Sequence, residues 1–194
     1  MKMKLPLIAV SVCFATACVS VLPEPTAPDA LYSIDASAAY AGLSHDLIVR
    51  EPEAPRLISG QNMISEGTDG GLRVVPGVEW SGRATRQMQL AIMNSFKFDE
   101  AGDAILPEHG ILAQYELASD LSALKLEGET AVCELAVSVI STRDRSLLAR
   151  RKISAREQAD SGSSRDRALA LKDAASNCAS QATEFAIAAL KDRS

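Results

Sequence analysis

Three successive stretches between Ile111 and Arg156 alternate apolar and polar residues, a pattern that fits strands of a sheet with one buried and one wetted face. In residues 111–121, Ile111, Ala113, Tyr115, Leu117 and Leu121 fall on one side. Gln114, Glu116 and Asp120 fall on the other, with Leu112 as an apolar exception on that polar side. Residues 124–129 read as the connection to the next strand. In residues 131–141, Cys133, Leu135, Val137 and Val139 face one way and Glu134, Ala136 and Ser138 the other. Arg143-Asp144-Arg145 reads as a hairpin tip. Leu147, Ala149, Ile153 and Ala155 then return on the apolar side, opposite Arg150, Lys152 and Arg156. Acids on two strands are thereby expected beside bases on the third, a pairing of tenths of a kcal/mol, roughly, for each pair.

Residues 72–98 fix how a helix meets this sheet. Leu72-Arg73-Val74-Val75 reads as a short strand, Pro76-Gly77-Val78-Glu79 as a turn, and Trp80, the single tryptophan, precedes a helix starting near Ser81. Ser81 is the expected N-cap, since a hydroxyl there accepts from free N–H groups of the first turn. Ala84, Met88, Ala91, Ile92 and Phe96 share one helical face. Trp80 has two readings. It is a plug closing the end of the core with its N–H at a polar rim, or a ring that stacks on a partner or ligand.

Upstream, residues 31–34 and 46–50 read as strands, the second apolar enough to be central. Pro52 and Pro55 end it. Leu57-Ile58 and Asn62-Met63-Ile64 flank Gly60 as a kinked or bulged strand, and residues 67–71 form a turn. At the C-terminal end, Ser163 followed by Asp166 resembles a capping box. The helix it opens carries Leu171, Ala175, Cys178, Ala182, Phe185 and Ala189 on one stripe. So many alanines suit a helix lying close on a sheet better than a coiled coil, which needs larger residues. The expected fold is α+β: a two-layer sandwich, mainly antiparallel sheet, with two amphipathic helices packed on one face.

The chain of 194 residues carries a net charge of −5, and it is more acidic still without Lys2 and Lys4 at its start. An acidic body argues against nucleic acid as a partner. Met1-Lys2-Met3-Lys4 is a basic n-region, and the apolar run after it is shorter than the about twenty residues a bilayer span requires. Ala15-Thr16-Ala17-Cys18 then places small residues before a cysteine. This reads as a signal peptide over residues 1–17, cut to leave Cys18 as a lipidated N-terminus. An ordinary secretory leader with a cysteine at the cut is the other reading. Stable membrane attachment takes more than one acyl chain, which the lipoprotein class supplies. Residues 18–30, with Pro23, Pro25 and Pro28, form a tether. Residues 31–194 form one domain.

No catalytic set assembles from the sequence. His45 and His109 lack partners at metal-ligand spacing, no Gly-x-Ser-x-Gly elbow occurs, and neither a P-loop nor a dinucleotide fingerprint is present. The chain reads as a non-enzyme without metal or cofactor beyond the lipid on Cys18. Cys133 and Cys178 sit on the core faces of a strand and of the last helix. They form either a disulfide, worth about 4 kcal/mol by chain entropy, or two separate buried thiols.

These features together resemble the ABC-type transport auxiliary lipoproteins, which include paraquat-inducible protein C-like and MCE-associated lipoproteins. The resemblance rests on the lipobox at Cys18, on Tyr32-Ser33-Ile34, on Leu47-Ile48-Val49-Arg50 and on Asn62-Met63-Ile64. It continues through residues 74–80 with the helix after them, Tyr115-Glu116-Leu117, the hairpin of residues 132–155 and the alanine-rich last helix. Ile34 stands where Leu is usual, Ser81-Gly82-Arg83 replaces a commoner Asp and Pro, and no tryptophan closes the last helix. The resemblance implies a non-catalytic accessory of an ABC lipid-transport system, with an ATPase and permease in the inner membrane and an MCE-domain protein bridging the periplasm. The anchor implied is diacylglycerol on Cys18 with an acyl chain such as palmitate on its amine. Val19 after Cys18 resembles the outer-membrane sorting pattern, on the periplasmic face. The edge of the second strand and the loop near Trp80 are the candidate partner sites, and a homo-oligomer is compatible with all of this. The rival readings are a lipoprotein that itself carries lipid and a structural envelope lipoprotein without an ABC partner.

Overall fold

The computed structural model of the chain describes residues 27–35, 42–97 and 101–191. Cys18, the leader and most of the tether lie outside them. In chain order the elements are β1 (Ala30–Tyr32), β2 (Leu47–Val49), α1 (Arg56–Ser59), β3 (Asn62–Glu66), β4 (Leu72–Trp80), α2 (Ala84–Asn94), β5 (Ala104–Ile105), a 3-10 turn (Pro107–His109), β6 (Tyr115–Glu127), β7 (Thr130–Ser141), β8 (Leu147–Gln158) and α3 (Ser164–Leu190). The eight strands form one mixed sheet, backed by α2 and α3 on one face.

The sheet branches at β6. One edge of β6 pairs antiparallel with β7 from Tyr115 opposite Ser141 to Glu127 opposite Thr130. The other edge is shared. Tyr115, Glu116 and Leu117 pair in parallel with β2, and Leu126 and Glu127 pair in parallel with β3. β5 adds to β2, while β4 and then β1 add to β3. Four of the seven strand pairings are parallel, so the expected mainly antiparallel sheet is corrected to a mixed one. The three antiparallel ladders are local hairpins or near neighbours with alternation to announce them. The parallel pairs join two or three residues each across long loops, and nothing in the local sequence encodes such a pairing.

β6 is longer than its alternation suggests because of a β-bulge. The register with β7 shifts between Leu121 and Ala123. The extra residue moves the apolar side from Leu117 and Leu121 to Leu124 and Leu126, all of them buried. A reader following period two loses the strand at that point, although the backbone continues. A second irregularity makes a strand of the expected turn at Pro76-Gly77. β3 and β4 pair at Ile64–Val74 and again at Asn62–Glu79, so β4 carries extra residues between these pairs. Pro76 needs no ladder partner there. Gly77 takes φ +74°, and its carbonyl accepts from the Asp29 N–H at 2.8 Å.

Helix α2 starts at Ala84, with Arg83 at the N-cap position and no side-chain cap. Ser81 is not the cap; its hydroxyl pairs with that of Ser33 at 2.8 Å. Ala84, Met88, Ala91 and Ile92 are buried as their spacing requires. Leu57 and Ile58, expected in a kinked strand, form the helical turn α1 instead. Helix α3 begins as its sequence indicates: the Ser163 hydroxyl accepts from the Asp166 N–H at 3.1 Å. Its 27 residues reach about 40 Å, close to the length of the 12-residue strands β7 and β8 beneath it. Ala168, Ala174, Ala175, Ala179, Ala182 and Ala186 are wholly buried, so the helix backbone lies close on the sheet. Helix α2 docks beside it, where the Thr183 hydroxyl donates to the Ile92 carbonyl at 3.3 Å.

Candidate functional site

The two helices cover one face of the sheet, and β6, β7 and β8 present their other face to solvent. Register defines the rows on that face. Ala118, Ser138 and Arg150 form one row, and Asp120, Ala136 and Lys152 the next. Acid and base in the second row are thus held apart by Ala136, so the expected pairing is not made in that row. A base of the third strand meets an acid of the first at the end of the sheet, where Arg156 reaches Glu127 at 3.3 Å, and Lys125 bonds Glu66 beside them.

At the opposite end of this face a carboxylate is nearly enclosed. Glu116 follows Tyr115 on β6 and is buried. It accepts from the Arg50 guanidinium at 2.8 Å, just past β2, and from the Arg145 guanidinium at 3.2 Å, in the β7–β8 turn. Arg145 holds φ +61° there. Burial pushes the Glu116 carboxyl up, but the two arginine hydrogen bonds outweigh it and leave the carboxyl below the usual range. The same bond raises Arg50. Glu51, Glu53, Ser119 and Asp120 line the cleft beside it. The cluster ties three chain segments together. Sequence reading placed Glu116 on a polar face but missed its burial, since the branch that buries it is made by the parallel partner β2.

The sequence-derived candidates fall in separate places. Trp80 ends β4 in the core at 1 % exposure and is walled in rather than at a rim. The edge of β2 is not open: β5 takes one side and β6 the other, so that candidate partner site is corrected. Cys133 and Cys178 are buried free thiols, and the Cys178 thiol donates to the Cys133 carbonyl at 3.3 Å. Burial, and after it the neighbouring Cys178 thiol, push the Cys133 thiol well above its ordinary range. His45 packs edge-on against Tyr115 with ring centroids 5.4 Å apart, and His109 is exposed in the 3-10 turn. Among the described residues, no group of three or more His, Cys, Asp and Glu is arranged to hold a metal ion.

The feature with most surface consequence is β8. Among the described strands it pairs with β7 alone, and no described strand lies along its other edge from Arg150 to Arg156. Arg143, Arg145, Arg150, Arg151, Lys152 and Arg156 crowd this strand and its turn, against two acids, Asp144 and Glu157. Arg151 turns to the helix side and lies over the Phe185 ring, 5.0 Å from its centroid. Its place inside a run of surface cations hid that contact from the sequence.

A helix-backed, branching mixed sheet of this kind is known in solved structures. The fold is similar to that of a Xanthomonas campestris protein of the DUF330 family, with a TM-score of 0.72 at 18% identity, covering 86% of this chain and 97% of that one. It is also similar to an uncharacterized protein, with a TM-score of 0.62 at 8% identity, covering 82% of this chain and 99% of that one. No curated protein matches the sequence. A model of the family described as ABC-type transport auxiliary lipoprotein component matches residues 30–182. The chain belongs to the ABC-type transport auxiliary lipoprotein family. It is thereby an auxiliary transport component associated with an ABC system and with the envelope as a lipoprotein.

Proposed function

We propose that this chain is a non-catalytic accessory of an ABC lipid-transport system whose MCE-domain protein bridges the inner and outer membranes. It is anchored by lipid on Cys18, at the periplasmic face of the outer membrane, and residues 18–30 tether the domain. The observation that carries this reading is the family match over residues 30–182 directly behind a lipobox cysteine. No helix among the described residues is long and apolar enough to cross a membrane, and the attachment proposed is the acyl groups on Cys18, which hold stably when there are several. The domain contributes surface rather than chemistry: a helix-backed sheet tethered to the membrane.

Genetics tests this directly. This chain, the MCE-associated permease of the same cell, and both together are deleted, and detergent sensitivity of the envelope is measured. A double deletion no worse than the more severe single one supports a shared machine. An additive defect overturns the reading.

A further inference from the structure

The backbone of β8 can be oriented from one hydrogen bond. The Ala159 N–H donates to the Glu129 carbonyl at 2.9 Å, so Ala159 faces β7. The register between β7 and β8 holds constant from Thr130 opposite Gln158 to Val139 opposite Ala149. In an antiparallel ladder, hydrogen-bonded and non-bonded pairs alternate. Glu157, Ala155, Ile153 and Arg151 therefore share the inward bonding of Ala159. Arg156, Ser154, Lys152 and Arg150 direct their N–H and C=O groups away from β7, toward the unpaired edge.

These outward-bonding residues are also the ones whose side chains stand on the open face of the sheet. Arg150, Lys152 and Arg156 are all exposed. Arg150 and Lys152 form no ion pair with a described residue, while Arg156 already reaches Glu127. A strand added to this edge would place every second side chain directly beside the row of Arg150, Lys152, Ser154 and Arg156. Like charges there repel and opposite charges attract. Its alternate side chains would look over the groove between β8 and α3, which is lined by Asn177, Ser180, Gln181 and Glu184. That groove is polar and offers nothing to a strand with a broad apolar face.

We propose that the β8 edge is a docking site for an extended segment of a partner protein, joined by β-strand addition and carrying acidic residues at alternate positions. The backbone supplies the ladder, and the cation row selects register and charge. The same cations deter a second, basic β8 from pairing edge to edge. The inference rests on the accessory reading above for its biological partner, but the edge itself is testable without that partner.

The probe is a fluorescent peptide of alternating Glu and Thr matched in length to β8, added to the full chain. Binding is read by polarisation, and backbone amide exchange is read by mass spectrometry. The expected result is binding that slows exchange over β8 and leaves β1 unchanged. The double variant Arg150→Glu, Lys152→Glu should bind at least about ten-fold more weakly, since like charges across an interface are costly. A peptide N-methylated on alternate amides keeps its charge and loses its ladder, and it should not bind. Equal binding of that peptide overturns the proposal and marks the strip as a plain electrostatic surface, such as one for anionic headgroups. Amides of β8 that are already protected in the free chain, in a concentration-dependent way, overturn it in favour of a second copy. Failure here leaves the genetic test of the accessory role standing, and an additive genetic defect leaves the edge standing.

Discussion

Glu116 is a carboxylate that the fold keeps charged in a nearly closed site. Two arginines from different loops, Arg50 and Arg145, hold it below the ordinary carboxyl value of about 4.3. A carboxyl lowered in the fold contributes its full stability above the unfolded value, and loses it as pH falls through the lower folded value. Glu116→Gln should therefore lower stability by about 1–3 kcal/mol at neutral pH, the usual cost of an impaired buried hydrogen-bond group. The gap between the two proteins should close at acid pH. Urea unfolding at neutral pH and across an acid series taken below the lowered folded value, itself beneath the unfolded value of about 4.3, checks both parts; a gap that persists at the acid end contradicts the assignment. The cysteines give a second expectation at this scale. Burial shields both thiols from reagent, and the raised pKa of Cys133 makes that thiol less nucleophilic still. Cys133 and Cys178 should resist alkylation in the native chain and react after unfolding, with the same intact mass before and after reduction. A mass gain of two hydrogens on reduction would show a bridge instead. The sequence placed both cysteines on core faces, where they lie, because residue period reports burial. It could not decide between bridge and thiols, which depends on how deep and at what angle α3 sits.

Among the elements, α3 was the most legible. Its cap at Ser163 and its apolar stripe both follow from local rules. Its alanines are the consequence of close approach to β7 and β8, and the structure leaves no space beside them. Ala175→Leu should destabilise the domain by about 1–3 kcal/mol through overpacking, whereas Ala188→Leu, on the exposed side, should have little effect. Thermal or urea unfolding of the two variants compares them, and equal effects would contradict the packing described. Ser163→Ala should cost about 1 kcal/mol, as the loss of an N-cap does. β6 was half legible. Its alternation up to Leu121 is plain, but the bulge before Ala123 shifts the phase, and the remaining strand reads as a connection. Pro76-Gly77 misled in the opposite direction: turn residues that sit inside a strand because β4 bulges against β3.

At the scale of the whole molecule, the branch of the sheet at β6 decides which surfaces remain available. It buries the edge of β2 between β5 and β6 and encloses Glu116, while β8 pairs with β7 alone among the described strands. None of this is local. The parallel pairs that create the branch are two or three residues long and are separated by long stretches of chain, so periodicity is silent about them. The class of fold and the core residues were therefore readable, and the candidate docking edge was not. Signals that could have drawn attention to β8 were present as its run of cations, but that run gains meaning only once the strand is known to end the sheet. In the proposed function, Cys18 joins this scaffold to a membrane and its surface joins it to a transport machine. The most direct measurement is a crosslinked pull-down from envelope membranes, comparing the native chain with Cys18→Ser. The expected result is recovery of an MCE-domain protein with ABC components by the native chain, reduced when the anchor is removed. Recovery of no MCE or ABC component with either form would contradict it.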